Sequence, residues 1–304
     1  MKKSSVNMHR VTISAVFLSI SLVLKTVFTF HIPMFGQDGM RVGLSGIFSA
    51  MPALLFGPMY GAAVSALSDL LGYLLKPTGE YLPIMTLSVG LGGFIRGILW
   101  AVLSKKNTGK MRILVVILSV LLLILGIFNA VFLSADKIDN NFYDNIQPSD
   151  IDTKNMHFIS RLLITRTVNT KDPSGNIKTF ITFVTSGVIG SGIMGIILLT
   201  ADFFLSKKFA QDSNISLVPQ VLISMIISGL VVTTINTVVL REIMFVAWKA
   251  LPFPVVWIPR IIEEILSNTV ISYFIAVLMG VFEKQTDLKK IIGKSQGKNE
   301  KAKQ

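Results

Sequence analysis

The 304-residue chain has no cysteine, and only 15% of its residues are charged. The first absence excludes disulfides, thiolate metal sites and cysteine nucleophiles. The second, against about 25% in soluble domains, excludes an ordinary water-facing surface. No glycine-rich phosphate loop followed by Lys and Ser or Thr occurs, so the chain does not itself hydrolyse ATP. Its histidines, His9, His31 and His157, are scattered, and neither an HExxH pair nor paired intramembrane aspartates appear, which leaves a membrane protease unsupported. No cofactor or metal is implied. What is abundant is apolar: 51% of residues are hydrophobic, in runs long enough for a hydrocarbon core that takes about 20 helical residues. The chain reads as an all-α polytopic membrane protein. Its net charge of +12 lies at the two ends and in short loops, as membrane topology requires, so no nucleic acid is needed to explain it.

The apolar segments are 11–32, 43–57, 59–75, 83–104, 113–134, 179–205, 216–248 and 256–282. The first lacks a small-residue cleavage site and reads as a retained span. Pro52 and the pair Gly57-Pro58 interrupt the stretch 43–75, which therefore reads as a hairpin. Counted so, there are about eight spans, and "MKKSSVNMHR", "SKKNTGKMR", "SKK" (206–208) and the lysine-rich tail all fall on one side. The positive-inside rule makes that side, and both termini, cytoplasmic. The Gly57-Pro58 turn is then inside, and "KPTGEYLP" and the polar segment 135–178, with its turn signal "KDPSGN", are outside. Gly187, Ser191 and Gly195, four residues apart, give the span after that segment a close-packing face. The tail from 284 to 304 is polar and basic and reads as disordered or lying on anionic lipid.

Within the hairpin, Asp69 stands about 16 Å along a helix that starts at Pro58. Tyr73 and Lys76 follow at i+4 and i+7 and share its face, above a packing stripe of Gly61 and Ser65. A carboxylate at that depth calls for a polar partner or a water-filled cavity.

The run "GPMYGAAVSALSDLLGYLLKPTGEYLPIMTLSVGLGGFIRGIL" resembles the signature region of the S components of energy-coupling-factor (ECF) vitamin transporters, most closely the folate-type group. The shared features are a Gly-Pro turn, a small-residue helix, Asp-Leu-Leu-Gly, a Pro-x-Gly-x-Tyr-x-Pro loop and a Thr-Leu-Ser helix start. Nearer the C-terminus, "INTVVL" and "IPRII" are similar to the group's Asn-Thr-x-x-Leu and Pro-Arg elements. The resemblance implies a six-helix membrane domain that binds a vitamin in its outer half and is turned over by a membrane partner and two ATPases. It covers residues 8–106 and 214–283, so the expected division is core 1–108, an insertion 109–210 with two spans and the extracellular segment 135–178, core 211–283, and a basic tail 284–304. The insertion has no counterpart in compact members.

Under that resemblance the candidate substrate-binding residues are Asp69, Tyr73, Lys76, Tyr81, Asn236, Arg260 and Arg41. Asp69 accepts from an amino-pyrimidinone edge, or else pairs with Arg96 or another core cation. Arg41, Lys76 and Arg260 surround the outer mouth, clamping an anionic vitamin or snorkelling to the interface. Asn236 both donates and accepts, as a pterin edge requires, or it joins helices. Tyr73, Tyr81 and Trp257 stack on a flat heterocycle or belong to an aromatic belt. Arg96 falls about 20 Å below the outer loop, which favours partner docking or a structural pair over ligand contact. Glu263 and Glu264 repel an anion unless neighbouring cations neutralise them. Ala15 and Ser19 form a small-residue face of the kind that meets the membrane partner in this family, or that packs internally. The expected protein is a folate-capturing subunit of a bacterial plasma-membrane importer that binds and does not catalyse. The alternatives are another vitamin, a stand-alone secondary transporter, or a membrane enzyme; no internal repeat of the secondary-transporter kind is apparent.

Overall fold

Apolar runs bounded by proline and glycine become helices. The protein is described by a computed structural model over residues 2–35, 37–77, 79–138, 154–165, 173–209 and 217–284. The elements are α1 (Lys2–Val27), β1 (Thr29–Met34), β2 (Gln37–Gly43), α2 (Ser45–Phe56), α3 (Pro58–Leu75), α4 (Pro83–Leu103), α5 (Thr108–Ala135) and α6 (Phe158–Thr165). Then come α7 (Pro173–Thr182), which runs through a π-turn (Phe183–Gly187) into α8 (Val188–Phe209), and α9 (Val218–Val239), which ends in a second π-turn (Leu240–Met244). A 3-10 turn (Val246–Ala250) leads into α10 (Phe253–Lys284).

Among the described residues six stretches are long and apolar enough to cross a membrane: Met8–Val27, Pro83–Leu103, Thr108–Ala135, Ile177–Phe204, Val218–Met244 and Phe253–Phe282. This is a multi-pass membrane protein, with six such helices where about eight were expected. The difference lies in the hairpin. Helix α2 has 12 residues, about 18 Å of rise against a hydrocarbon thickness of about 30 Å. Helix α3 has 18, but its glycines, serines and Asp69 dilute its hydropathy. The turn itself is as expected: Gly57 has φ 99°, a conformation only glycine adopts without strain. Four residues on either side, Ala53 and Gly61 face each other so closely that a Cβ on Gly61 would lie 2.5 Å from that of Ala53.

The first span is also shorter than expected. It stops at Val27, and residues counted as membrane up to Ile32 form a ribbon instead: β1 pairs antiparallel with β2, His31 opposite Arg41 and Met34 opposite Gln37. Pairing is irregular between Ile32 and Met34, at Pro33, which has no N–H to give the ladder. Met34 and Met40 anchor the ribbon in a core with Leu240, Trp248, Leu251 and Val256. Likewise the expected "KDPSGN" turn is in part a helix start, since Pro173 opens α7, where a missing N–H costs nothing; Lys171 and Asp172 lie outside the described residues, as do the basic tail from 285 on and residues 139–153 of the outer segment.

Helices α3 and α4 form the tightest crossing. A Cβ on Gly93 would lie 2.2 Å from the Gly61 carbonyl oxygen, and one on Gly97 would lie 2.5 Å from Pro58 Cα. Helix α4 packs on α9, α9 on α10, and α1 on α2, around a core that includes Phe17, Met51, Leu54, Phe56, Trp100, Met225 and Ile275. Helices α5 and α8 pair with each other and pack on α9 and α10: Gly195 lies on Ser119, Gly126 on Ile189, Arg112 donates to Asp202 at 2.7 Å, and Val115, Leu198 and Leu199 share a core with Val218 and Leu222. Of the expected small-residue face, Gly195 thus meets α5, while Gly187 meets Ile262 of α10. Past α5, burial disfavours the Asp136 charge, but the neighbouring Ser160 hydroxyl and the hydrogen bonds from His157 outweigh it and hold the carboxyl below its ordinary value. The His157 contacts, from ring Nδ1 at 2.7 Å and backbone N–H at 3.1 Å, tie the start of α6 to the end of α5.

Replacing Gly93 by Val drives a side chain into backbone. It is expected to destabilise the bundle by about 3 kcal/mol or more, whereas Gly280→Ala, with nothing within 4 Å of the new methyl, is expected to leave stability unchanged or slightly raised. Thermal unfolding of the two variants in detergent checks this; equal midpoints would show that the α3/α4 contact is not tight.

Candidate substrate cavity

Between the ribbon and helices α1 to α4, α9 and α10 lies a cavity of about 380 Å³, within the range of small-molecule sites. All seven expected site residues, Arg41, Asp69, Tyr73, Lys76, Tyr81, Asn236 and Arg260, line it. They come from five different places in the chain. The fold brings them together because α3 and the start of α4 rise to the ribbon side, while α9 ends and α10 begins there.

Asp69 is already engaged. Lys25 Nζ lies 3.1 Å from its Oδ1, and Thr86 donates to Oδ2 at 2.8 Å. Thr86 in turn exchanges a hydrogen bond with the Tyr81 hydroxyl at 3.0 Å. Of the two partners considered for Asp69, a core cation is therefore present, but it is Lys25 rather than Arg96. Gly72 makes this possible: a Cβ there would stand 2.7 Å from Lys25 Cδ, so the lysine crosses α3 where the helix has no side chain. The lone cation in an otherwise apolar run was the signal available in the sequence; placing it inside a longer span hid its position at the last turn of α1. A carboxylate has about four lone-pair sites, so Asp69 keeps capacity for a ligand N–H.

Tyr73 and Tyr81 stand with ring centroids 5.0 Å apart at 39°, and the Tyr73 hydroxyl donates to the Gly79 carbonyl at 3.2 Å. Gly79 has φ 77°, so this loop needs its glycine. Lys76 is exposed at the rim, its Nζ 3.4 Å from the Thr26 carbonyl. Asn236 accepts from Ser88 through Oδ1. Arg260 donates from Nε to Thr237 at 2.9 Å and from a terminal nitrogen to the Gly39 carbonyl, clamping the ribbon to the bundle. Trp257 does not line the cavity; its indole N–H donates to Thr234 at 2.9 Å, and its ring stacks on Phe253.

Arg96 is the main correction. Its depth argued against ligand contact, yet it lines the same cavity, with Nε donating to Ser228 at 3.3 Å. Helical side chains tilt toward their N-terminus. Helix α4 starts at the ribbon side, so the Arg96 chain reaches back up into the cavity. The same vector brings Glu263 and Glu264 of α10 into it. The lining thus has five cations, Lys25, Arg41, Lys76, Arg96 and Arg260, and four carboxylates, Asp69, Glu80, Glu263 and Glu264. Ala15 and Ser19 lie elsewhere, exposed on α1, the Ser19 hydroxyl donating to the Ala15 carbonyl at 2.9 Å.

Residues 5–149 match a family model described as "ECF-type riboflavin transporter, S component". Over 101 residues, 33% of this chain and 57% of the relative, the sequence is 33% identical to the folate transporter FolT of Clostridium novyi (strain NT). The chain thus spans a little over half the length of that curated relative. No solved structure matches the chain.

Lys25 and Asp69 are 29% and 27% exposed, so their coupling is expected to fall between that of surface and buried pairs, about 1–2 kcal/mol. A double-mutant cycle with Lys25→Met and Asp69→Leu, read by thermal unfolding, measures it. Additive losses would show that the pair does not hold α1 to α3.

Proposed function

We propose, for a chain whose residues 5–149 match a family model of ECF-type S components, that it is the vitamin-binding subunit of an ATP-driven importer. The observation that carries this is the cavity: charged, amide and aromatic side chains from α1 to α4, α9, α10 and the ribbon face one pocket inside an apolar bundle. Asp69, Tyr73, Lys76, Tyr81, Asn236, Arg260 and Arg41 contact the vitamin there. The chain binds and releases; a membrane partner and two ATPases supply the energy. The ribbon side faces outward and both termini are cytoplasmic in a bacterial plasma membrane, which agrees with the placement of basic loops. Residues 1–108 and 211–283 form the core, 109–210 an inserted pair of spans with the outer segment 135–178, and 284–304 a basic tail. The contact of α5 with α8 suits an inserted pair of spans, although both helices also pack on α9 and α10 and the family match runs past residue 108.

Folate is the first reading of the substrate. It is supported by the relative's name, by Asn236, and by cations at the mouth that suit a ligand with carboxylates. A specific observation favours riboflavin as the second: four carboxylates share the cavity, nearly balancing its cations, and the family description names that vitamin. Titration of the purified protein with each vitamin separates them. Folate is expected to bind, and Asn236→Ala and Arg260→Ala each to weaken it by about 10-fold or more. Binding of riboflavin with none of folate would replace the substrate and keep the function.

Ala15 and Ser19 are the proposed docking face for the membrane partner. Ala15→Leu and Ser19→Leu are expected to abolish co-purification with that partner while leaving vitamin binding intact; retained co-purification would return this face to the lipid.

A further inference from the structure

Helix α5 and the span formed by α7, its π-turn and α8 touch closely over most of their length. A Cβ on Gly192 would lie 2.6 Å from Leu123 Cγ, and one on Gly126 would lie 2.6 Å from Ile189 Cγ1. About one turn further on, buried Asn129 donates to the Val184 carbonyl at 3.3 Å. Beyond that contact the two diverge, and an open cleft of about 440 Å³ lies between them. It is at the ribbon end of the bundle: Phe35, in the ribbon turn, packs on the cluster that contains Leu133, Ile138 and Ile181 of the cleft wall. The cleft shares no lining residue with the central cavity.

Both walls depart from regular helix at this place. On one, the π-turn (Phe183–Gly187) carries Thr185 and Ser186 along the cleft, and such turns recur at functional sites. On the other, α5 ends in a Schellman motif: the Ile138 N–H donates to the Leu133 carbonyl at 2.9 Å, and the Lys137 N–H to the Ser134 carbonyl at 3.0 Å. The residue in the left-handed position of that motif is Lys137, with φ 55°. Glycine takes this conformation without strain and lysine does not, so the backbone alone gives no reason for a lysine. Its side chain lines the cleft together with Ser134 and Ser186. All three are exposed, and among the described residues neither the Lys137 ammonium nor the two hydroxyls have a hydrogen-bond partner. No carboxylate lines the cleft, and Asp136, next to Lys137, is turned to His157. The lining is therefore a set of donors with one positive charge, against an apolar wall of Leu133, Ile138 and Ile181.

We infer that this cleft holds the headgroup of an anionic phospholipid from the leaflet on the ribbon side, with Lys137, Ser134 and Ser186 donating to its phosphate and glycerol-ester oxygens. A phosphodiester brings both the acceptors and the negative charge that this lining lacks. The position fits as well, because Lys137 follows directly on the apolar span Thr108–Ala135, at the level where lipid headgroups begin. The acyl chains have an exit: Val131 and Ile127, three and seven residues before Ser134 on the same face of α5, are exposed. The assignment does not rest on the vitamin-binding reading. It gives the pair of spans on either side of the outer segment a ligand of its own, one that joins α5 to the π-turn where the two helices no longer touch.

The test is native mass spectrometry of the full chain, purified in a delipidating detergent and titrated with dioleoyl phosphatidylglycerol, dioleoyl phosphatidylcholine or dioleoylglycerol. Phosphatidylglycerol is expected to bind more tightly than phosphatidylcholine, and dioleoylglycerol, which has no phosphate, about 10- to 100-fold more weakly, the range for hydrogen bonds to a charged group. Lys137→Gly is the decisive variant. It is expected to weaken phosphatidylglycerol by about 10-fold while raising the lipid-free thermal midpoint, since glycine relieves the left-handed backbone; a lysine with a structural role only would give the second effect without the first. Ser134→Ala and Ser186→Ala together are expected to cost a similar factor. Lys110→Gln, an exposed cation at the opposite end of α5, is expected to change nothing. The lipid comparison needs only the unaltered protein, so a variant that fails to fold does not decide the outcome. The inference is overturned if phosphatidylglycerol binds no more tightly than dioleoylglycerol, or if Lys110→Gln weakens it as much as Lys137→Gly. Displacement of the lipid by an equal concentration of water-soluble glycerol phosphate would likewise overturn it, by making the occupant a soluble phosphate.

Discussion

Charge in a hydrocarbon environment has to be matched inside the protein, and that constraint organises this bundle. Away from the cavity the helices use small residues, hydroxyls bonded back to their own backbone, and bulky apolar faces turned outward. The ionisable side chains that enter the bundle from α1, α3, α4 and α10 converge on one water-accessible space. Matching takes two forms there. Near the rim it is direct: Lys25 closes on Asp69, and Thr86 and Tyr81 extend the network into the loop after α3. Elsewhere in the lining, neutral donors and acceptors hold Arg96, Arg260, Glu263 and Glu264.

The backbone geometry that permits this convergence is tight. The α3/α4 crossing depends on bare backbone at Gly61, Gly93 and Gly97, and it sets the separation between the Asp69 face and the helix that carries Thr86 and Arg96. The ribbon has a comparable role at the mouth. It grows out of α1, is anchored by Met34 and Met40 beside Trp248, and is clamped through Gly39 by Arg260, so one cation serves both the wall of the cavity and the element that covers it. Loss of that cation therefore reaches the cavity wall and the ribbon position together.

Much of the cavity lining was legible before the fold was known. Asp69, Tyr73 and Lys76 share a face because helical spacing requires it, and all three line the cavity together with Tyr81, Asn236, Arg41 and Arg260. The turn at Gly57-Pro58 follows from residue chemistry alone. Less legible were the ribbon, whose first strand carries Phe30 and Ile32 and reads as a continuing span, and Lys25, which that longer span concealed. Arg96 was misplaced because counting residues down a helix locates its Cα, whereas the long side chain points back toward the helix start.

The sequence by itself determined the class of the protein: a membrane bundle without thiols or a nucleotide loop, with a signature similar to that of a transporter family. Composition and periodicity suffice for that, because the bilayer imposes length and polarity on each segment independently of its neighbours. Only the tertiary structure decided which charges meet. Asp69 chose Lys25 over Arg96, and Arg260 turned from its own glutamates to a ribbon carbonyl. Such choices depend on the direction of each side chain and on partners far away in the chain, and spacing along a single helix carries neither.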